Sequence, residues 1–285
     1  MSQNPENSQT STKLTHKETF LQRILGKNYK WWFIIQFYFK SNTTYRWNSA
    51  MWLASSVVII LGTILIWYIN FSGKSNFEVE FSQIFTYFII GEGLIFGSAI
   101  QFDIGENIQD GKITSRLVCP TNCLWYYIFR SFGYQFFENV SKVLIYSFFG
   151  LIFHQFLVLP IFTNFSLFIL AAILAYIINT FIGIIVGLTA FWLTAFFGSA
   201  SFFDSLKYIF SGRFFPLDSL KILQFTFFTP FAFTFYHPMQ IYLGKYSPNQ
   251  TGFVFIGGIF WAILLYFLAK FIFKMGLKKN ESVGL

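Results

Sequence analysis

The chain has 285 residues, of which 55% are hydrophobic and only 11% charged, with a formal net charge of +8. Soluble globular domains carry about 25% charged residues, so this composition excludes an ordinary water-soluble core and makes the bilayer the solvent. The 43 phenylalanines are scattered through every apolar run and read as lipid-facing and packing bulk, not as specialised aromatic chemistry.

Residues 1–19 are polar, rich in Ser, Thr, Asn and Gln, and lack the apolar core and small-residue cleavage site of a signal peptide, so 1–27 reads as a disordered cytoplasmic tail. Residues 28–46 mix Trp31, Trp32, Phe33, Phe37, Tyr38 and Phe39 with Lys30, Lys40 and Arg46. That is the composition of a helix lying in the membrane interface, the alternative being an aromatic belt at the start of the first span.

Crossing a hydrocarbon core of roughly 30 Å takes about 20 helical residues. Four apolar runs fit that length singly: 50–71, 81–101, 132–153 and 253–273. A fifth, 166–213, is about twice the needed length and is read as two helices, 166–188 and 191–213, meeting in a turn near Gly187 to Trp192. Six spans result, with both termini on one side. With the amino terminus cytoplasmic, fourteen lysines and arginines fall inside against four outside (Lys74, Arg213, Lys221 and Lys245), while Lys142 and Lys207 lie within spans. This is a positive-inside bias, and the net charge needs no nucleic-acid partner.

Between the second and third spans, residues 102–131 form a mixed-charge stretch around Gly111-Lys112-Ile113-Thr114-Ser115-Arg116-Leu117-Val118-Cys119-Pro120. A short helix ending before Pro120 would present an amphipathic surface suited to a soluble partner, against the plainer reading of a solvated loop. Cys119 and Cys123 sit here without further Cys or His nearby, so they read as structural and no metal site is expected. On the other face, residues 211–245 are too polar for a span and too apolar for a loop. Two short helices over 217–238, broken at Pro230 and bounded by Pro216 and Pro238, would dip into the outer leaflet and need protein shielding for their backbone groups.

Gly93 and Gly97, and Gly183 and Gly187, are small-xxx-small pairs that favour close helix packing over a glycine-lined transport path. Glu92, Glu138 and Asp204 lie at membrane depth, where an ionised group costs about 2.5–3.5 kcal/mol, so they should face protein or a hydrated cavity. Glu138 with Lys142 and Asp204 with Lys207 are spaced for pairing on one helix face. Glu92 has no such local partner, which makes it the strongest of the three candidates for a pathway or subunit interface.

Several of these residues carry a family resemblance. Tyr45-Arg46, Trp67-Tyr68, Thr86-Tyr87, the Gly111-Lys112-Ile113, Leu117 and Pro120 core, Ser211-Gly212 with Pro216-Leu217, and Pro230-Phe231, Tyr236, Pro238, Ile241 and Leu243-Gly244 together resemble the membrane (permease) subunits of type-2 ATP-binding-cassette exporters, in their six-span bacterial branch. The resemblance implies an all-α integral membrane protein of the bacterial inner membrane: an N-terminal interfacial helix, six transmembrane helices, a cytoplasmic coupling helix and an outer re-entrant helical pair. It implies that Gly111, Lys112, Ile113, Arg116, Leu117 and Pro120 dock a cytoplasmic ATPase, and that a second permease completes a homodimer or heterodimer. This chain has Gln109 and Asp110 just before Gly111, where the family often has a basic residue.

ATP and Mg are implied on the partner ATPase, with no cofactor in this chain. A P-loop needs an upstream glycine and a hydroxyl directly after its lysine, and Gly111-Lys112-Ile113-Thr114 has neither. Gly91-Glu92-Gly93 and Gly97 miss the dinucleotide spacing by one and lie in a span. An intramembrane lipid enzyme is disfavoured because His16, His154 and His237 have no carboxylate motif beside them. The alternative function is an ion-coupled secondary transporter using Glu92, Glu138 and Asp204, although no internal repeat of spans is visible. The apolar pathway leaves the substrate class open.

Overall fold

The computed structural model describes residues 29–44, 46–73, 76–94, 99–117, 122–219 and 221–283. Helices follow one another without a strand among the described residues: α1 Tyr29–Thr44, α2 Arg46–Phe71, α3 Phe77–Leu94, α4 Ile100–Gln109, α5 Ile113–Leu117, α6 Cys123–Ile152, α7 Phe162–Leu188, α8 Phe196–Phe210, α9 Tyr236–Tyr242 and α10 Pro248–Val283. The tail 1–27 lies outside the described residues.

Local sequence explains most of the helix ends. The Asn122 side chain caps α6, accepting from the Leu124 and Trp125 amides at 3.1 and 3.4 Å. Gly111 follows α4 with φ +69°, and Gly212 follows α8 with φ +82°, the left-handed backbone that lets a helix stop and the chain turn. The 166–213 run does break where expected: α7 ends at Leu188, a 3₁₀ turn covers Thr189–Phe191, and α8 starts at Phe196.

Other boundaries move. The second run, read as 81–101, is α3 from Phe77 to Leu94 followed by a separate helix α4, with residues 95–98 outside the described set. Residues 102–109, read as loop, are therefore helical, and α6 starts nine residues before the expected 132. The fifth expected span, 191–213, contains an α-helix of only 15 residues, about 22 Å long, which falls short of the hydrocarbon thickness. Among the described residues, three segments are long and apolar enough to cross a membrane: Leu53–Phe71, Phe162–Phe191 and Pro248–Lys279. By contrast α3 and α6 each carry three charged side chains.

α7 is the central post, with α4, α9 and α10 packed on it, while α3 and α1 pack on α6. The small residues of the sequence pattern sit at these seams. A Cβ on Gly187 would stand 2.9 Å from the Gln101 carbonyl oxygen of α4, and one on Gly183 would stand 2.6 Å from Ile100 Cγ2. Gly93 meets Tyr146 on α6 in the same way at 3.0 Å, whereas Gly97 lies outside the described residues. Gly133, which the pattern did not single out, lets α1 rest on α6 with Ile35 backbone 2.5 Å from the missing Cβ. α1 is fixed along α6 further by Trp31 stacked on Phe129 and by a 2.5 Å hydrogen bond between the Tyr38 and Tyr126 hydroxyls.

The segment expected on the outer face folds as short 3₁₀ turns, Leu217–Ser219, Lys221–Phe228 and Ala232–Thr234, leading into α9. The break does fall around Pro230. Pro216 stands just before the first 3₁₀ turn. Pro238, expected as a second breaker, instead lies in the first turn of α9, where its missing N–H has no intrahelical partner to lose. Residues 232–242 are buried throughout. The His237 ring joins the two halves, its Nε2 2.9 Å from the Phe227 carbonyl oxygen and its Nδ1 2.7 Å from the Tyr246 hydroxyl. A carbonyl only accepts, so Nε2 carries the proton and Nδ1 accepts from Tyr246. Trp261 Nε1 of α10 donates to the Phe228 carbonyl at 2.9 Å.

Candidate functional site

Two groups of residues stand out from the apolar bulk: an exposed turn after α4 and a chain of charges inside the bundle.

The exposed turn is built on a buried anchor. Ile113 is 0% exposed and packs with Ile104, Ile108 and Tyr127. It was expected to face a partner; it instead fastens the turn to this chain's own core. Around it Asp110, Gly111, Lys112, Thr114 and Ser115 are exposed. Hydrogen bonds from the Gly111 amide to the Ile108 carbonyl (3.1 Å) and from the Thr114 amide to the Gly111 carbonyl (3.3 Å) carry the chain through the left-handed glycine into α5. Lys112 pairs with Asp110 at 2.6 Å, both side chains exposed, and that carboxylate holds the ammonium above its ordinary pKa. Arg116 and Leu117 continue α5 with side chains outside the described set, as is Pro120. The Gln109 amide donates to the Thr194 carbonyl at 2.8 Å, joining this turn to the α7–α8 turn, and Phe196 fills the space left by Gly105. Two turns distant in sequence thus form one surface.

Inside the bundle, Glu92 of α3 is held by both Nε and Nη2 of Arg213, a bidentate pair 121 residues apart in the chain. Sequence spacing left Glu92 alone and counted Arg213 as an outer charge. The signal that pointed to the pairing was chemical: a lone carboxylate at membrane depth requires a cation, and Arg213 closes an apolar run. Arg213 also lies over the Tyr208 ring at 4.6 Å. Lys142 and Tyr146 of α6 lie within electrostatic reach of both partners, and Glu138 within reach of Lys142.

Asp204 and Lys207 do pair on α8, at 2.8 Å, and Gln101 of α4 donates to the second Asp204 oxygen at 2.7 Å. A third pair, Asp103 of α4 with Arg130 of α6 at 3.1 Å, also escaped the sequence reading. The three contacts tie the α3–α4 unit to α6, to α8 and to the turn after α8.

The Ser211–Arg213 turn is itself held in place. The Tyr87 hydroxyl donates to the Gly212 carbonyl at 2.7 Å, and the Tyr236 amide donates to the Ser211 carbonyl at 3.1 Å. Tyr87→Phe should leave a buried carbonyl unpaired and lower stability by about 1–3 kcal/mol. Thermal unfolding in detergent checks this, and an unchanged midpoint would show that the turn does not depend on that hydroxyl. Among the described residues no group of three His, Cys, Asp or Glu is placed to hold a metal ion.

Among the described residues, then, the chain is an apolar helical bundle with partly buried ion pairs between its elements and an exposed turn after α4. The family model for ABC-2 family transporter proteins matches residues 80–284, and the chain belongs to that family of membrane permeases of ABC transporters. Tyr45-Arg46 and Trp67-Tyr68, two elements of the resemblance noted from sequence, fall before the matched region. No curated protein and no solved structure matches the chain.

Proposed function

We propose that this chain is the permease subunit of an ATP-driven exporter, with six crossings, cytoplasmic termini and a location in the bacterial inner membrane. In this reading two permeases pair, and a separate ATPase carrying ATP and Mg docks on each at residues 111–120. The observation that carries it is the exposed Asp110–Ser115 turn, anchored from beneath by Ile113 and joined to the α7–α8 turn, in a chain of the ABC-2 family. A rigid knob of this kind passes a push from a docked protein into α4, and from α4 into the Asp204 and Asp103 contacts, as rigid-body motion does. Exposed apolar faces on α2 (Val58, Ile59, Ile66) and α8 (Phe197, Phe202) are available to lipid or to the second permease.

The ion-coupled alternative is less well supported. Glu92 and Asp204 each already have a cationic partner within the chain, so neither stands ready as a ligand for a transported cation.

The test is affinity capture of the tagged chain in mild detergent beside Lys112→Glu/Arg116→Glu. A cassette ATPase should co-purify with the wild type, and its capture should fall by about tenfold or more in the variant. If no ATPase accompanies the folded wild type, the exporter reading fails and proton-dependent transport becomes the next assay.

A further inference from the structure

At the ends of α6 and α10 that lie on the face assigned to the cytoplasm, a groove of 380 Å³ opens between α6, α7 and α10. Its walls are apolar: Ile128 of α6, Phe181 of α7, and Tyr266 and Phe273 of α10, with Phe181 and Tyr266 meeting edge to face. Its rim carries Lys270 and Lys274, one helical turn apart on the same face of α10 and both exposed. Among the described residues no acidic side chain lines it. The first α6 amides are occupied by the Asn122 cap, so the positive charge at the mouth comes from the two lysines. Trp125, 42% exposed, also lines the groove, and indole rings favour the boundary between hydrocarbon and headgroups.

We infer that this groove binds one anionic phospholipid, its phosphate between Lys270 and Lys274 and an acyl chain against Ile128, Phe181 and Phe273. The arrangement is complementary on both counts: an apolar cleft, and a doubly cationic mouth with no competing carboxylate among the described residues. Basic pockets between transmembrane helices bind acidic headgroups in this manner. A zwitterionic lipid gains the apolar contact but brings its own ammonium to the lysines. Free phosphate gains the charge contact alone. None of its lining residues belongs to the Glu92–Arg213 pair or to the Asp110–Ser115 turn, so it is a place for a bound lipid distinct from both.

Native mass spectrometry of the full chain released from detergent, titrated with phosphatidylglycerol or phosphatidylcholine, tests this. The wild type should bind one phosphatidylglycerol about tenfold or more tightly than phosphatidylcholine. Lys270→Gln/Lys274→Gln should abolish that preference, while Lys278→Gln/Lys279→Gln, which removes the same charge beyond the groove, should retain it. Millimolar glycerol phosphate or inorganic phosphate should not displace the lipid. Equal binding of the two lipids, an unchanged preference in the first variant, or an equal loss in both variants overturns the proposal. Displacement by inorganic phosphate also overturns it, since the site would then read the anion without the chain. A folded first variant is confirmed by its gel-filtration profile, and Ile128→Trp, which fills the groove without touching charge, should lower the binding of both lipids.

Discussion

Arg213→Ala is expected to be among the most damaging single substitutions in this protein. It removes the bidentate partner of Glu92 and leaves a carboxylate whose side chain is 11% exposed facing α6 and α8 with its charge uncompensated. Truncating one member of a buried pair costs about 3–5 kcal/mol, because the surviving charge keeps its desolvation penalty without its attraction. Lys142, which lies within electrostatic reach of Glu92, would recover only part of this, since it sits one turn from Glu138 and already shares that carboxylate's field. The double variant Glu92→Gln/Arg213→Met should recover most of the loss, because neither charge then remains to be solvated. Thermal unfolding of the wild type, both single variants and the double variant in detergent forms a complete cycle. Additive losses would show that the two side chains do not act as a pair.

The cycle also has a functional reading. The pair links α3 to the turn after α8, and if export requires those elements to separate, the double variant should stay folded while its transport rate changes. A double variant with wild-type transport would confine the pair to stability.

Gly187→Leu is the second large expected effect. The obstacle is backbone, not a flexible side-chain tip: the Gln101 carbonyl oxygen and Ile104 Cβ both stand 2.9 Å from where the first added carbon would lie. Overpacking of a tight core costs about 1–3 kcal/mol, and a rigid backbone obstacle puts this change at the upper end or beyond. The result should be an outward shift of α4 from α7, which carries Gln101 away from Asp204 and the Asp110–Ser115 turn away from the α7–α8 turn. ATPase capture should therefore fall together with the thermal midpoint. Gly198→Leu is the control, because nothing lies within 4 Å of a Cβ built there. Equal midpoints for the two variants would contradict a close α4–α7 seam.

The two sites differ in how far the linear chain announces them. Asp204 and Lys207 are three residues apart, and helical geometry alone puts them on one face, so their pairing was legible from spacing. Glu92 and Arg213 are equally well paired but sit on elements that meet only after the bundle assembles, so spacing could show the need for a cation and not which cation. Ile113 gave a misleading signal for a similar reason. An isoleucine between charges on a short helix looks the same whether it greets a partner or fastens the turn to its own core.

Apolar run length and charge distribution, which are properties of residue type along the chain, determined by themselves that this is a helical membrane protein. Gly111, Gly212 and Asn122 likewise determined where helices stop and start, because backbone freedom and side-chain capping act within a few residues. Tertiary structure alone decided that α3 and α4 are separate helices, that Pro238 begins a helix instead of breaking one, and which side chains meet across 121 residues. Those outcomes depend on how whole helices dock, and docking is set by the summed packing and charge of surfaces that no local window contains.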